Sequence, residues 1–247
     1  MKRFGLISVL IGLVIIYAYS QDSIVSIPDA AFLYALIDEG VDRNGDSMIS
    51  YVEAEVVKSL DVSSYSSYIN DIIDLTGIEA FVNLDTLNCT WNDITSLDIS
   101  NNTALTHLYC GSNHCNNLDV SNNTALIHLE CSDNKLPYLN VSGCSSLEFL
   151  DCTFNLLTSL DVSENAALTT LRCGCNNLTS LDVTGCTALN YLFTTLNYQL
   201  PSLDVSSCTA LTFLACCFND LSSLDVSNNI ALNYLACEGN QLTSLDV

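Results

Sequence analysis

Positive charge is scarce in this chain. It carries 6 Lys and Arg against 28 Asp and Glu, a formal net charge of −22. Affinity for a phosphate backbone rests on Lys and Arg displacing counterions, so nucleic acid is excluded as a partner, and anionic membrane surfaces with it. Long apolar runs are scarce too. The run from Leu6 to Ala18 follows Lys2 and Arg3 and precedes the small-residue pattern Ala18-Tyr19-Ser20. That is the layout of a secretory signal peptide over residues 1–20, cleaved before Gln21. The run is shorter than the ~20 residues a spanning helix needs. No Cys follows the cleavage site to take a lipid, and no second long apolar stretch occurs later. The mature chain is expected to be secreted or held at a cell surface, with no membrane insertion after cleavage. Also missing is any grouping of a nucleophile with a base and an orienting residue, so an enzyme is not expected. No pair of CxxC knuckles is present to hold zinc.

Repetition is what the chain has in abundance. The unit Leu105 to Ala125, LTHLYCGSNHCNNLDVSNNTA, recurs with starts at Leu84, Leu105, Leu126, Leu147, Leu168, Leu189, Leu211 and Leu232, a period of 21 residues with one of 22. A unit this small cannot bury its own apolar face and must stack on its neighbours. The shared form is L-x-x-L-x-C-x-x-N-x-L-x-x-L-D-V-S-x-x-x-A. Strand alternation turns the fourth and sixth places inward, Leu108 and Cys110 in this unit, and the third and fifth, His107 and Tyr109, outward onto a concave sheet.

Three columns of this unit read as structural. Asn at the ninth place, from Asn92 to Asn240, is expected to satisfy backbone groups where the chain leaves the strand. The sixth-place cysteines, Cys89, Cys110, Cys131, Cys152, Cys173, Cys216 and Cys237, are broken only by Thr194. Neighbouring strands hold their Cβ atoms parallel and ~4.8 Å apart, wider than a disulfide accepts. They read as a ladder of buried thiols. On the descending side lie Cys144, Cys186 and Cys208; Cys186 and Cys208 fall in adjacent coils and are the pair best placed for a disulfide, if one forms. The column Asp98, Asp119, Asp161, Asp182, Asp204, Asp225 and Asp246, with Asn140 in its gap, reads as capping of the D-V-S turn, bound cations being the alternative.

The first nine residues of the unit resemble the opening of the leucine-rich repeat signature, with Cys for its third leucine. With the phrases LTSLDVS and DLTGIEAF, the array resembles internalin-type leucine-rich repeat proteins of bacterial surfaces, especially cysteine-containing members with 21-residue repeats. The resemblance covers roughly residues 61–247. It implies an α/β-type leucine-rich repeat solenoid, mostly β, with a parallel concave sheet and an irregular convex side. It also implies a binding protein, often an adhesin.

A solenoid end exposes its core and needs a cap, expected over residues 21–60 with an irregular first coil over 61–83. Ser26 to Gly40 reads as a helix and Tyr51 to Leu60 as a second. Between them Asp42, Asn44, Asp46, the Met48 carbonyl, Ser50 and Glu53 fall at loop positions 1, 3, 5, 7, 9 and 12 of an EF-hand, which also resembles half of a dockerin module. Position 6, normally Gly, is Ser47, which weakens affinity through a left-handed backbone. A weakly held structural Ca²⁺ is expected, an acidic solvated loop being the bland reading.

Ligand contact is expected at the outward positions the repeat leaves free: Trp91, His107, Tyr109, His128, Phe149, Tyr191, Phe193, Phe213 and Tyr234, with Phe154 and Phe218 beside them. Contiguous exposed rings mark binding surfaces, although rings also shield a sheet. A protein partner on a host or neighbouring cell is the first expectation; a glycan-binding accessory role, or a purely structural surface protein, is the alternative. His107, His128, Glu130 and His114 raise a metal or acid/base site, which lacks a complete constellation.

Overall fold

Each repeat contributes three residues of strand, because places three to five alternate half-buried and buried side chains around a central leucine. In the computed structural model, which describes residues 23–64 and 71–246, the expected signal peptide lies outside the described residues. The strands are β1 Ser59–Asp61, β2 Thr86–Asn88, β3 His107–Tyr109, β4 His128–Glu130, β5 Phe149–Asp151, β6 Ser159–Asp161, β7 Thr170–Arg172, β8 Ser180–Asp182, β9 Tyr191–Phe193, β10 Phe213–Ala215, β11 Ser223–Asp225, β12 Tyr234–Ala236 and β13 Ser244–Asp246. Nine of them form one parallel sheet in the order β1-β2-β3-β4-β5-β7-β9-β10-β12. Its register is one repeat per strand, so Leu108 pairs with Leu129 and Leu129 with Leu150. This is a leucine-rich repeat solenoid. Its descending side is more regular than expected: the S-L-D segments pair in two short parallel sheets, β6 with β8 and β11 with β13.

Leucines at the first and fourth places fill the interior; Leu105, Leu108, Leu126 and Leu129 are wholly buried. Each is worth roughly 1.5–3 kcal/mol against exposure. The sixth-place thiols lie in the same core, and Cys89, Cys131, Cys152, Cys173 and Cys216 have no exposed surface. Burial pushes Cys173 and Cys216 up to about 12. The cysteines are free. Cys186 and Cys208, the pair best placed for a disulfide, are among them and are not bridged. Their sulfurs instead turn to carbonyls of the preceding coil, Cys186 Sγ to Val162 at 3.1 Å and Cys208 Sγ to Val183 at 3.6 Å.

The ninth-place asparagine binds the coils together. Asn113 Nδ2 donates to the carbonyls of Cys89 (3.0 Å), Cys110 (3.1 Å) and Gly111 (3.2 Å), while its Oδ1 accepts from Ile94 N at 3.0 Å. It follows a residue with a left-handed backbone in every coil: Trp91, Ser112, Asp133, Phe154, Cys175, Leu196, Phe218 and Gly239 have φ of 60, 52, 51, 54, 55, 65, 54 and 69°. A second asparagine column, not foreseen, runs down the far side through Asn102, Asn123, Asn165 and Asn229. Asn123 Nδ2 donates to Ile99 O and Asn102 O at 3.1 and 2.9 Å, but each Oδ1 of this column is buried without a partner. Cys144, Cys186 and Cys208 occupy the same place in other coils. Cys144 Sγ points at the equivalent carbonyls, Val120 and Asn123, at 3.8 and 3.7 Å.

At the N-terminal end, helix α1 spans Ala30–Asp38 and buries Phe32 and Leu36. Asp29 caps it through Oδ1, accepting from Ala31 N at 2.8 Å, and through Oδ2 accepts from Ile73 N and Asp74 N of the first coil. Helix α2, Tyr51–Glu55, starts in a capping box between Ser50 and Glu53. It ends five residues before the expected Leu60. There the pattern changes to strand alternation, and wholly buried Leu60 pairs with Leu87 in the main sheet. The sheet therefore begins inside the segment assigned to the cap.

Candidate interaction surface

One strand per repeat places third-place side chains ~4.8 Å apart along the sheet, close enough for flat rings to stack. His128 lies on Phe149 with centroids 4.1 Å apart and planes 3° from parallel. His107 stacks on His128 at 5.9 Å, and Tyr109 leans over His128 at 4.8 Å. A second stack joins Tyr191 to Phe213 at 4.3 Å and Phe213 to Tyr234 at 4.4 Å. Thr170 carries no ring and separates the two. The gap is spanned from the fifth place: the Arg172 guanidinium carbon is 5.8 Å from the Phe149 centroid and 5.4 Å from that of Tyr191, and Arg172 Nη1 is 3.6 Å from Asp151 Oδ2. Rings and guanidinium form a continuous ridge from β3 to β12.

The remaining expected contacts sit differently. Phe193 is half-buried and leans along the sheet over Gly174, where a Cβ would collide with its ring. Trp91, Phe154 and Phe218 stand at the left-handed eighth place, on the turns beyond the strands, and are 57, 61 and 49% exposed. A left-handed non-glycine residue costs roughly 1–2 kcal/mol, so these three rings border the ridge at a conformational cost. Arg172 as a bridge, and the backbone of the eighth place, were not legible beforehand.

Two groups on the ridge have shifted acidities. Burial, followed by the neighbouring charge of His107, holds His128 below its ordinary value, although Asp151 pulls the other way. Burial raises Glu130 against opposing hydrogen bonds from Ser132. Glu130 fits because Gly111 lacks the Cβ that would meet its carboxylate. His114 does not join this group; its Nδ1 is 3.4 Å from Asp93 Oδ1. The descending aspartates cap their turns: Asp98, Asp119, Asp161, Asp204 and Asp225 each accept from the amide of the serine two residues on. Hydrogen bonding to that serine holds each below the usual carboxylate range.

In the 42–53 loop, Asp42 accepts from Gly45 N and Ser47 N, Asn44 Oδ1 from Asp46 N, and Asp46 Oδ1 from Met48 N. Glu53 Oε1 accepts from Arg43 N and Oε2 from Ser50. Ser47 has φ 64°, the left-handed turn expected of that position. Among the described residues no three His, Cys, Asp or Glu side chains converge as a metal site.

No family model and no curated protein matches the sequence. Among solved structures, the functional domain of InlJ from Listeria monocytogenes, which includes a cysteine ladder, is similar at 42% identity with a TM-score of 0.73, over 81% of this chain and 43% of that one. A leucine-rich repeat protein of Leptospira interrogans is similar at 21% identity and TM-score 0.58, over 79% and 58%. The internalin InlF of Listeria monocytogenes is similar at 21% identity and TM-score 0.52, over 93% and 85%; these last two show the fold alone. The chain spans less than half the InlJ domain. Its structural neighbours are internalins and other leucine-rich repeat proteins, and it shares with InlJ a column of stacked cysteines.

Proposed function

We propose that this chain is a secreted or surface-displayed adhesion module that recognises a protein partner through the ring ridge on the outer face of its nine-stranded sheet. The observation that carries the reading is the continuity of that ridge. Rings in the core would be explained by packing, but His107, Tyr191 and Phe213 are half-buried and Tyr234 is 49% exposed, while the leucine between each outward pair already fills the interior. Rings supply large contact area at low rotamer cost and anchor protein interfaces. The likeness to internalins supports an interaction role, and the neighbours' own partners are not transferred. The test is capture of cell-surface proteins by the immobilised chain against a Tyr191→Ser, Phe193→Ser, Phe213→Ser variant. Equal capture by both would sink the reading; a shared glycan ligand would show as loss of capture after deglycosylation of the surface proteins.

The 42–53 loop takes Ca²⁺ weakly, as a clip on the cap. Its support is the spacing of Asp42, Asn44, Asp46, Met48, Ser50 and Glu53 and the left-handed Ser47. Each oxygen of Asp42 and Asp46, and Asn44 Oδ1, accepts one hydrogen bond and keeps a lone pair for a cation. Glu53 Oε1, by contrast, accepts from the Arg43 and Asn44 amides and Oε2 from the Ser50 amide and hydroxyl, bonds that a cation has to displace. Millimolar Ca²⁺ should raise the melting temperature of the chain and not that of a Glu53→Gln variant; an equal response in both removes the assignment.

A further inference from the structure

The ridge runs through a mostly acidic border. Glu148 precedes Phe149 in the chain and Asp151 follows it, Glu130 lies one strand back beside His128, and exposed Asp133 and Glu238 stand on the turns beyond. Arg172 is the cation on the ridge, and it is already committed to Asp151 and to the rings of Phe149 and Tyr191. The molecule as a whole carries a formal −22. An acidic partner approaching this face meets like charge; a basic one is drawn in.

Arg172 also shows what the face accepts. Its guanidinium lies within 6 Å of two ring centroids while a carboxylate stands 3.6 Å away. That combination gives a cation a π surface and a counter-charge together, and its value rises as a partner excludes water. Resting on the reading of this face as the binding surface, we propose that the partner is a polypeptide whose docking segment alternates arginine or lysine with apolar side chains. Its apolar groups lie on the ring ridge, and its cations are held against ring faces, as Arg172 is, and by Glu130 and exposed Glu148.

The probe is a pair of fluorescein-labelled 12-residue peptides, one alternating Arg and Leu and one alternating Glu and Leu, titrated by polarisation against the whole chain. The Arg peptide is expected to bind, and to bind at least about tenfold more weakly to a Tyr191→Ser, Phe213→Ser variant. A similar loss is expected for Glu130→Gln with Glu148→Gln, which keeps the acceptor toward Ser132, and the Glu peptide is expected not to bind. Melting temperatures near wild type certify each variant; should the Glu130 change unfold the chain, exposed Glu148→Gln with Asp133→Asn tests the same border. If the Arg peptide binds every variant equally, attraction to the net charge alone explains it and the proposal is overturned. If the ring variant loses the peptides but their charge and the border carboxylates make no difference, the partner chemistry is wrong while the face stands. If a protein partner is captured undiminished by the ring variant, the face itself is wrong.

Discussion

His128 is pressed flat against Phe149 with 4.1 Å between ring centroids, while His107 stacks on its far side at 5.9 Å. An imidazole placed there is shielded from water on one face and meets a second titratable ring on the other. Both effects oppose protonation.

The folded His128 therefore takes its proton at lower pH than the unfolded chain, whose ordinary value is about 6.5. Above about pH 7.5 neither state is protonated and the group costs nothing. As pH falls through 6.5 the unfolded state gains its proton first, so stability drops, and the loss is complete below the folded value. Glu130, raised by burial, works in the opposite sense and gains stability as it protonates. In a Glu130→Gln background, the melting temperature should fall from pH 7.5 to 5.5, and His128→Phe should remove most of that fall. An unchanged slope after His128→Phe would place the effect elsewhere.

The two asparagine columns should respond differently to replacement. Asn176 bonds three carbonyls, Cys152, Cys173 and Gly174, and accepts from Leu157 N. Asn176→Ala leaves several buried backbone groups unpaired, at about 1–3 kcal/mol each, so a loss of at least about 3 kcal/mol in denaturant unfolding is expected. Asn165 also holds two carbonyls, but its Oδ1 has no partner. Asn165→Cys copies Cys144 and Cys186 and removes an orphaned acceptor; about 1 kcal/mol or less is expected.

The eighth place should reward glycine. Cys175 has φ 55° and Asp133 has φ 51°, and relief of a left-handed backbone outweighs the extra unfolded-state freedom of glycine. Cys175→Gly or Asp133→Gly should raise stability by about 0.5–1 kcal/mol. Destabilisation in both would mean that the side chains there hold the turn.

The thiols should separate into two reactive classes. Cys175, Cys217 and Cys237 are half-buried and the others are buried. With Cys173 and Cys216 pushed up to about 12, thiolate is almost absent from the buried rungs of the ladder at pH 8. A thiol reagent should label those three in the native protein and the rest only after unfolding. Labelling of Cys131 or Cys152 without unfolding would contradict a dry ladder.

The repeat made much of this legible in advance. Leu, Cys and Asn recur because each place meets the same neighbours in every coil, so the inward thiols and the ninth-place bonds followed from spacing. The aspartate turns followed from the tendency of Asp to bond the amide two residues on. What escaped was set between coils. Arg172 reads as one polar residue in a variable column until Thr170 is seen to leave the gap that it fills. Asn102, Asn123, Asn165 and Asn229 were hidden because cysteine takes their place in three of the coils, at Cys144, Cys186 and Cys208, breaking the pattern. The end of α2 at Glu55 was missed because Tyr51 to Leu60 suits either period until Leu60 finds Leu87.

The ring ridge as the docking surface is tested most directly by site-specific photo-cross-linking. A benzophenone side chain is placed at Phe213 on the ridge, or at Ser163 on the descending turn, and the chain is irradiated with intact cells as bait. Covalent capture of a protein from the Phe213 position and not from Ser163 is the expected result. Capture from Ser163 alone, or equally from both, would contradict recognition through the sheet face.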